Sequence, residues 1–92
     1  MDLFTIIMDF RGGTYLNQVN ALDHKKAVEI WAKVLNTKEI MYFSEKSKGK
    51  MIEALPEIKK DIMELDNLKN VWSFTFQFKT GFAIVNIVKT AI

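Results

Sequence analysis

The stretch Val71-Trp72-Ser73-Phe74-Thr75-Phe76-Gln77-Phe78-Lys79-Thr80-Gly81-Phe82-Ala83-Ile84-Val85-Asn86-Ile87-Val88-Lys89-Thr90 decides the fold. Trp72, Phe74, Phe76 and Phe78 alternate with Val71, Ser73, Thr75, Gln77 and Lys79, and a side-chain period of two places the aromatics on one face of a strand. Residues 71–79 and 82–90 therefore read as a β-hairpin turning on Thr80-Gly81. That turn sets Phe78 opposite Ala83, Phe76 opposite Val85, Phe74 opposite Ile87 and Trp72 opposite Lys89. A row of aromatics this large calls for a second layer to cover it.

Working outward, the N-terminal end repeats the pattern. In residues 3–11, Phe4, Ile6, Met8 and Phe10 share one face, and Gly12-Gly13 then supplies the positive φ angles of a tight hairpin turn. Residues 14–21 form the returning strand. The expected register sets Arg11 opposite Thr14, Phe10 opposite Tyr15, Met8 opposite Asn17, Ile6 opposite Val19 and Phe4 opposite Ala21. Asn17 is the one polar residue on that otherwise apolar face.

From Asp23 the period changes from two to 3.6. Asp23 is an N-cap, and Ala27, Ile30, Trp31, Val34 and Leu35 make one stripe of a helix over residues 24–35. In residues 37–43, Ile40-Met41-Tyr42-Phe43 is too short to separate one helical turn from a brief strand, and the short helical turn is favoured. Met51, Ile52, Leu55, Ile58, Ile62 and Leu65 continue a helical spacing that Pro56 interrupts, because proline is tolerated at the first position of a helix and not in its interior. Two pieces follow, residues 45–54 and 56–65. The expected architecture is a single α+β domain over residues 1–92, with two hairpins forming a four-stranded antiparallel sheet. Two to three helices pack on one face, in the order ββαααββ. A glycine-containing hairpin followed by a helix with the pattern Ala27-Val28-x-x-Trp31-Ala32 resembles the start of the HicB-type antitoxin domain over residues 4–35, and no activity is carried over from that likeness.

Composition narrows the function classes. The chain has 92 residues, 49% hydrophobic and 26% charged, with a net charge of +2 and no cysteine, which fits a folded globular protein without a disulfide framework or thiolate chemistry. Arg11 is the only arginine among 13 basic residues. Base reading leans on guanidinium groups, so a sequence-specific nucleic-acid reader is not expected. No apolar run is long enough to span a membrane and no export-type leader is present, so a cytoplasmic location without membrane contact is the expectation.

No catalytic, cofactor-binding or metal-ligating set emerges. His24 is the only histidine and reads as a solvated residue of a helix's first turn, while Asp61, Glu64 and Asp66 lack the spacing of a cation loop. Gly12-Gly13 joins two strands and opens no helix, so it is turn geometry and no phosphate cradle. Two surfaces are singled out. Lys46, Lys48 and Lys50 concentrate positive charge and are the candidate contacts to an anion or a nucleic acid. Ile7, Leu16, Phe82, Ile84 and Val88 lie on the sheet face away from the aromatics, too apolar for comfortable exposure, and form a candidate interface. The expected function is a non-enzymatic interaction or regulatory module that self-associates, as a homodimer, through that face or through a strand edge. The alternatives are a single-strand nucleic-acid binder using the lysine segment, and a small ligand-binding protein or enzyme with a pocket between sheet and helices near Tyr15 and Asn17.

Overall fold

The computed structural model describes residues 1–90. The alternating N-terminal residues form strands β1 (Asp2–Phe10) and β2 (Gly13–Ala21), paired antiparallel. Their register departs from the expected one by two residues: Phe10 pairs with Gly13, Met8 with Tyr15, Ile6 with Asn17 and Phe4 with Val19. The turn residues are Arg11 (φ 48°) and Gly12 (φ 82°). Arg11 accepts a left-handed backbone because its side chain is anchored elsewhere. Its guanidinium lies 4.0 Å from the Tyr42 ring centroid and Nη1 donates to the Thr80 carbonyl at 2.5 Å. Gly13 lies under the Tyr15 ring, and a Cβ there would come within 2.6 Å of its hydroxyl unless the ring moved. A two-residue shift returns every side chain to its own face, so the apolar face survives the correction.

Helix α1 (His24–Val34) begins at Asp23, whose carboxylate accepts from the Lys26 amide at 2.8 Å. Its buried residues are Ala27, Val28, Trp31 and Ala32, with Leu35 buried just beyond its end. Compared with the expected stripe, the helix is turned toward Val28 and Ala32. Ile30 is only partly buried and Val34 is 63% exposed. The small side chains of Ala27 and Ala32 let the helix sit close to the sheet while Trp31 fills the layer between. The expected turn within residues 37–43 appears as a single 3₁₀ turn, Thr37–Glu39. Helix α2 (Glu45–Glu53) is capped by Ser44, and α3 (Leu55–Asp61) follows with Pro56 in its first turn.

Helix α3 stops short of the expected residue 65. Ile62 leaves helical geometry, and Met63–Glu64 pairs antiparallel as strand β3 with β4 (Val71–Phe78), which itself pairs with β5 (Gly81–Thr90). An unpaired edge of β4 offers backbone groups that a further helical turn cannot satisfy, and Leu65 N–H reaches the Val71 carbonyl there. The sheet thus has five strands rather than four, in the order β2-β1-β5-β4-β3. The C-terminal hairpin also turns one step early, on Lys79-Thr80, so that Phe74 faces Val85 and Trp72 faces Ile87. That turn is tied to the rest of the chain, the Thr80 hydroxyl donating to the Tyr42 carbonyl at 2.7 Å. Lys89 consequently leaves Trp72 and places Nζ 3.5 Å from Asp2 Oδ2.

All three helices lie on the aromatic face. Phe4, Ile6, Met8, Phe10, Val85 and Ile87 meet Trp31, Met51 and Val28 in one apolar cluster, and among the described residues no polar or charged residue is buried. Among the described residues no helix is long and apolar enough to cross a membrane.

Candidate functional site

The five outer-face residues do share one side of the sheet. The register sets Ile7 beside Leu16 on one side and Asn86 on the other, with Val88 next to Thr5 and Ile84 next to Asp9. Leu16, Phe82 and Ile84 are exposed, while Ile7 and Val88 are half-buried by their neighbours. Polar residues divide this surface and satisfy one another across it. Gln18 Nε2 donates to Thr5 Oγ1 at 3.0 Å, Thr5 and Thr90 hydroxyls meet at 2.6 Å, and Thr14 donates to Asp9 at 2.7 Å. A side-chain ladder of this kind suits a face turned to water.

The edge of the sheet is different. Lys89 N–H donates to the Asn70 carbonyl, so alternate residues of β5 bond to β4 and the intervening ones to β1. Carried across the sheet, this parity directs Gly13, Tyr15, Asn17, Val19 and Ala21 of β2 inward to β1. It leaves the N–H and C=O groups of Thr14, Leu16, Gln18 and Asn20 along a free edge. These four residues are exposed, and no described strand or helix covers them. From Gly13 to Ala21 the strand carries no charge, no proline and no bulge, the devices that ordinarily keep an edge from pairing. The opposite edge, β3, is two residues long, includes Glu64 and pairs only with Trp72 and Ser73 of β4, so a shorter uncharged stretch of β4 with exposed Thr75 and Gln77 lies beyond it. Leu22, 75% exposed, and Val34 extend apolar surface beside β2. The edge was readable from the sequence as nine uncharged residues; its position at the end of the sheet was not.

The lysine segment is broken up by the fold. Lys48 Nζ donates to the Leu35 carbonyl at 3.0 Å and closes the C-terminal end of α1. Lys46 and Lys50, one helical turn apart on α2, instead line a cleft of about 290 Å³ together with Ser44, Ser47, Lys79 and Phe76. Phe76 is half-buried, edge-on to Phe78 at 4.7 Å. It forms an aromatic floor under basic and hydroxyl groups with no carboxylate in the lining. The depression expected beside Tyr15 and Asn17 is present as a cleft of about 400 Å³ that Val34, Leu35 and Glu39 also line. Trp31 and the surrounding core occupy the interior behind it.

His24 does not stand free in solvent as a first-turn residue would. Its ring stacks on Trp72 at 4.3 Å with 5° between planes. Burial pushes the imidazole below its ordinary value, partly opposed by Asp23 and Glu64 and reinforced by Lys25. Glu29 joins two helices, accepting from Lys26 at 2.5 Å and from Lys59 of α3 at 3.0 Å, and these hydrogen bonds lower its carboxylate to about 2. Among the described residues no group of three or more His, Cys, Asp or Glu side chains is placed to hold a metal ion. The described residues form an α+β architecture in which the longest free, uncharged edge is β2 and a basic cleft lies beside α2. Compared with known protein families, curated proteins and solved structures, the chain finds no match, and none of the three supports the HicB-type likeness read from residues 4–35.

Proposed function

We propose that this protein is a small intracellular, non-enzymatic interaction module that self-associates as a homodimer by pairing strand β2 of one chain with β2 of another. The observation that carries this reading is the nine-residue edge without charge, proline or bulge. Edge pairing gives main-chain hydrogen bonds and extends the sheet. The outer face is the weaker surface, because its polar residues already bond to each other.

Light scattering on protein eluting from a sizing column tests the reading. The native chain is expected at twice its monomer mass, and the double variant Leu16→Lys/Gln18→Lys at monomer mass with an unchanged circular-dichroism spectrum. Two lysines at exposed edge positions set like charges against each other in the pair and disturb no core residue. A native chain that stays monomeric at high concentration removes this function.

A second reading is favoured by the cleft above Phe76. Three lysines around one aromatic ring fit a small anion bearing an aromatic ring better than a nucleic-acid strand, since Phe74 and Phe78 are buried and Trp72 is taken by His24. Titration with labelled single-stranded oligonucleotide and with a nucleoside monophosphate at low salt separates these. Equal indifference to both discards the cleft as a site.

A further inference from the structure

Building on β2 as the self-pairing edge, we infer that two chains meet antiparallel about a two-fold axis through Asn17, with Leu16 of each copy opposite Gln18 of the other and Thr14 opposite Asn20. The parity of the strand limits the choices. Outward-facing groups belong to Thr14, Leu16, Gln18 and Asn20, and only registers that set these residues against one another form hydrogen bonds. Centring on Asn17 engages all four on each strand, giving about eight hydrogen bonds. Centring on Leu16 or Gln18 leaves one residue of each strand out and lowers that number to about six.

Side chains on the helical face select the same register. Centred on Asn17, Tyr15 of one copy faces Val19 of the other, an aromatic residue against a β-branched one, and the two Asn17 amides face each other. The neighbouring registers set Asn17 against Tyr15 or against Val19. Asn17 is half-buried and polar between Tyr15 and Val19 on the helical face, and no side-chain hydrogen bond within the chain engages it among the described residues. An amide pair on the axis gives it a partner. The absence of charge over the whole strand makes the edge complementary to itself rather than to an acidic or basic strand. A two-fold axis normal to the sheet keeps both helical layers on one side, with Val34, exposed beside Tyr15 and Asn17, flanking the junction.

The chain contains no cysteine, which makes single replacements unambiguous. In the inferred register residue 17 faces its own copy as a non-hydrogen-bonded pair, with Cα atoms about 4.5 Å apart, inside disulfide range. Residue 14 stands about 20 Å from its copy along the strands. Under copper–phenanthroline oxidation Asn17→Cys is expected to give at least tenfold more covalent dimer than Thr14→Cys. Leu16→Cys and Gln18→Cys serve as reporters of the adjacent registers. Preferential cross-linking at residue 16 or 18 overturns the register while leaving edge pairing in place. A dimer that cross-links at none of these positions overturns both, and a monomeric native chain removes the proposed function with them. Asn17→Cys tests the register only if it keeps the native circular-dichroism spectrum; if it does not fold, an equimolar mixture of Leu16→Cys and Gln18→Cys takes its place. Greater cross-linking in the mixture than in either alone supports the register, and no increase overturns it.

Discussion

His24 illustrates how a single residue changes meaning between chain and fold. Beside Asp23 in the first turn of a helix it reads as solvated, yet the hairpin brings Trp72 under its ring. Burial lowers its folded-state value below the ordinary 6.5, so between the two values the unfolded chain binds more protons and stability rises with pH. The contribution is complete above about pH 6.5 and is lost as pH falls through the folded value. Urea midpoints measured from pH 7.5 to 5 are expected to fall for the native chain and to change less for His24→Gln. The reverse order would contradict the stacking assignment. Arg11 is a second case. Nothing local favours its positive φ; contacts to Tyr42 and Thr80, distant in sequence, hold it there.

At the scale of elements, strands and helices follow from periodicity because period two and period 3.6 leave different marks on a chain. Their ends and rotations do not. Val34 belongs to the stripe that spacing predicts for α1, but the helix turns its small face down and leaves Val34 beside the free edge. Residues 63–64 continue a helical pattern and become β3 because β4 needs a neighbour. The lysine segment divides in the same way, Lys48 going to the end of α1 and Lys46 to the cleft. Lys48→Met, which keeps the stem and removes the donor, is expected to lower stability by about 1 kcal/mol in urea unfolding. Lys46→Met should leave stability within about 0.5 kcal/mol, as expected of an exposed position. Equal costs for the two would mean that the bond to Leu35 is not selective.

For the molecule as a whole, one end of the sheet is open along the nine residues of β2 and the other is partly covered by β3, and the longer edge carries the proposed function. A protein whose β2 edges pair is stabilised by association, so its thermal midpoint depends on concentration. Raising the concentration a hundredfold is expected to raise the midpoint by several degrees in the native chain and to leave that of Leu16→Lys/Gln18→Lys unchanged. A native midpoint indifferent to concentration counts against a dimer.

The amino-acid sequence alone determined the four long strands, which face of each is apolar, that a helical layer covers the aromatic side, and that residues 13–21 carry no charge, but not the short fifth strand β3. These depend on neighbours a few positions apart. Only the tertiary structure decided that β2 lies at the end of the sheet, that Asn17 sits at the middle of its exposed edge, and that Phe76 floors a basic cleft. Strand order and register are set by contacts between residues far apart in the chain, and a hairpin shifted by two residues keeps every side chain on its proper face, so the apolar pattern cannot distinguish the two registers.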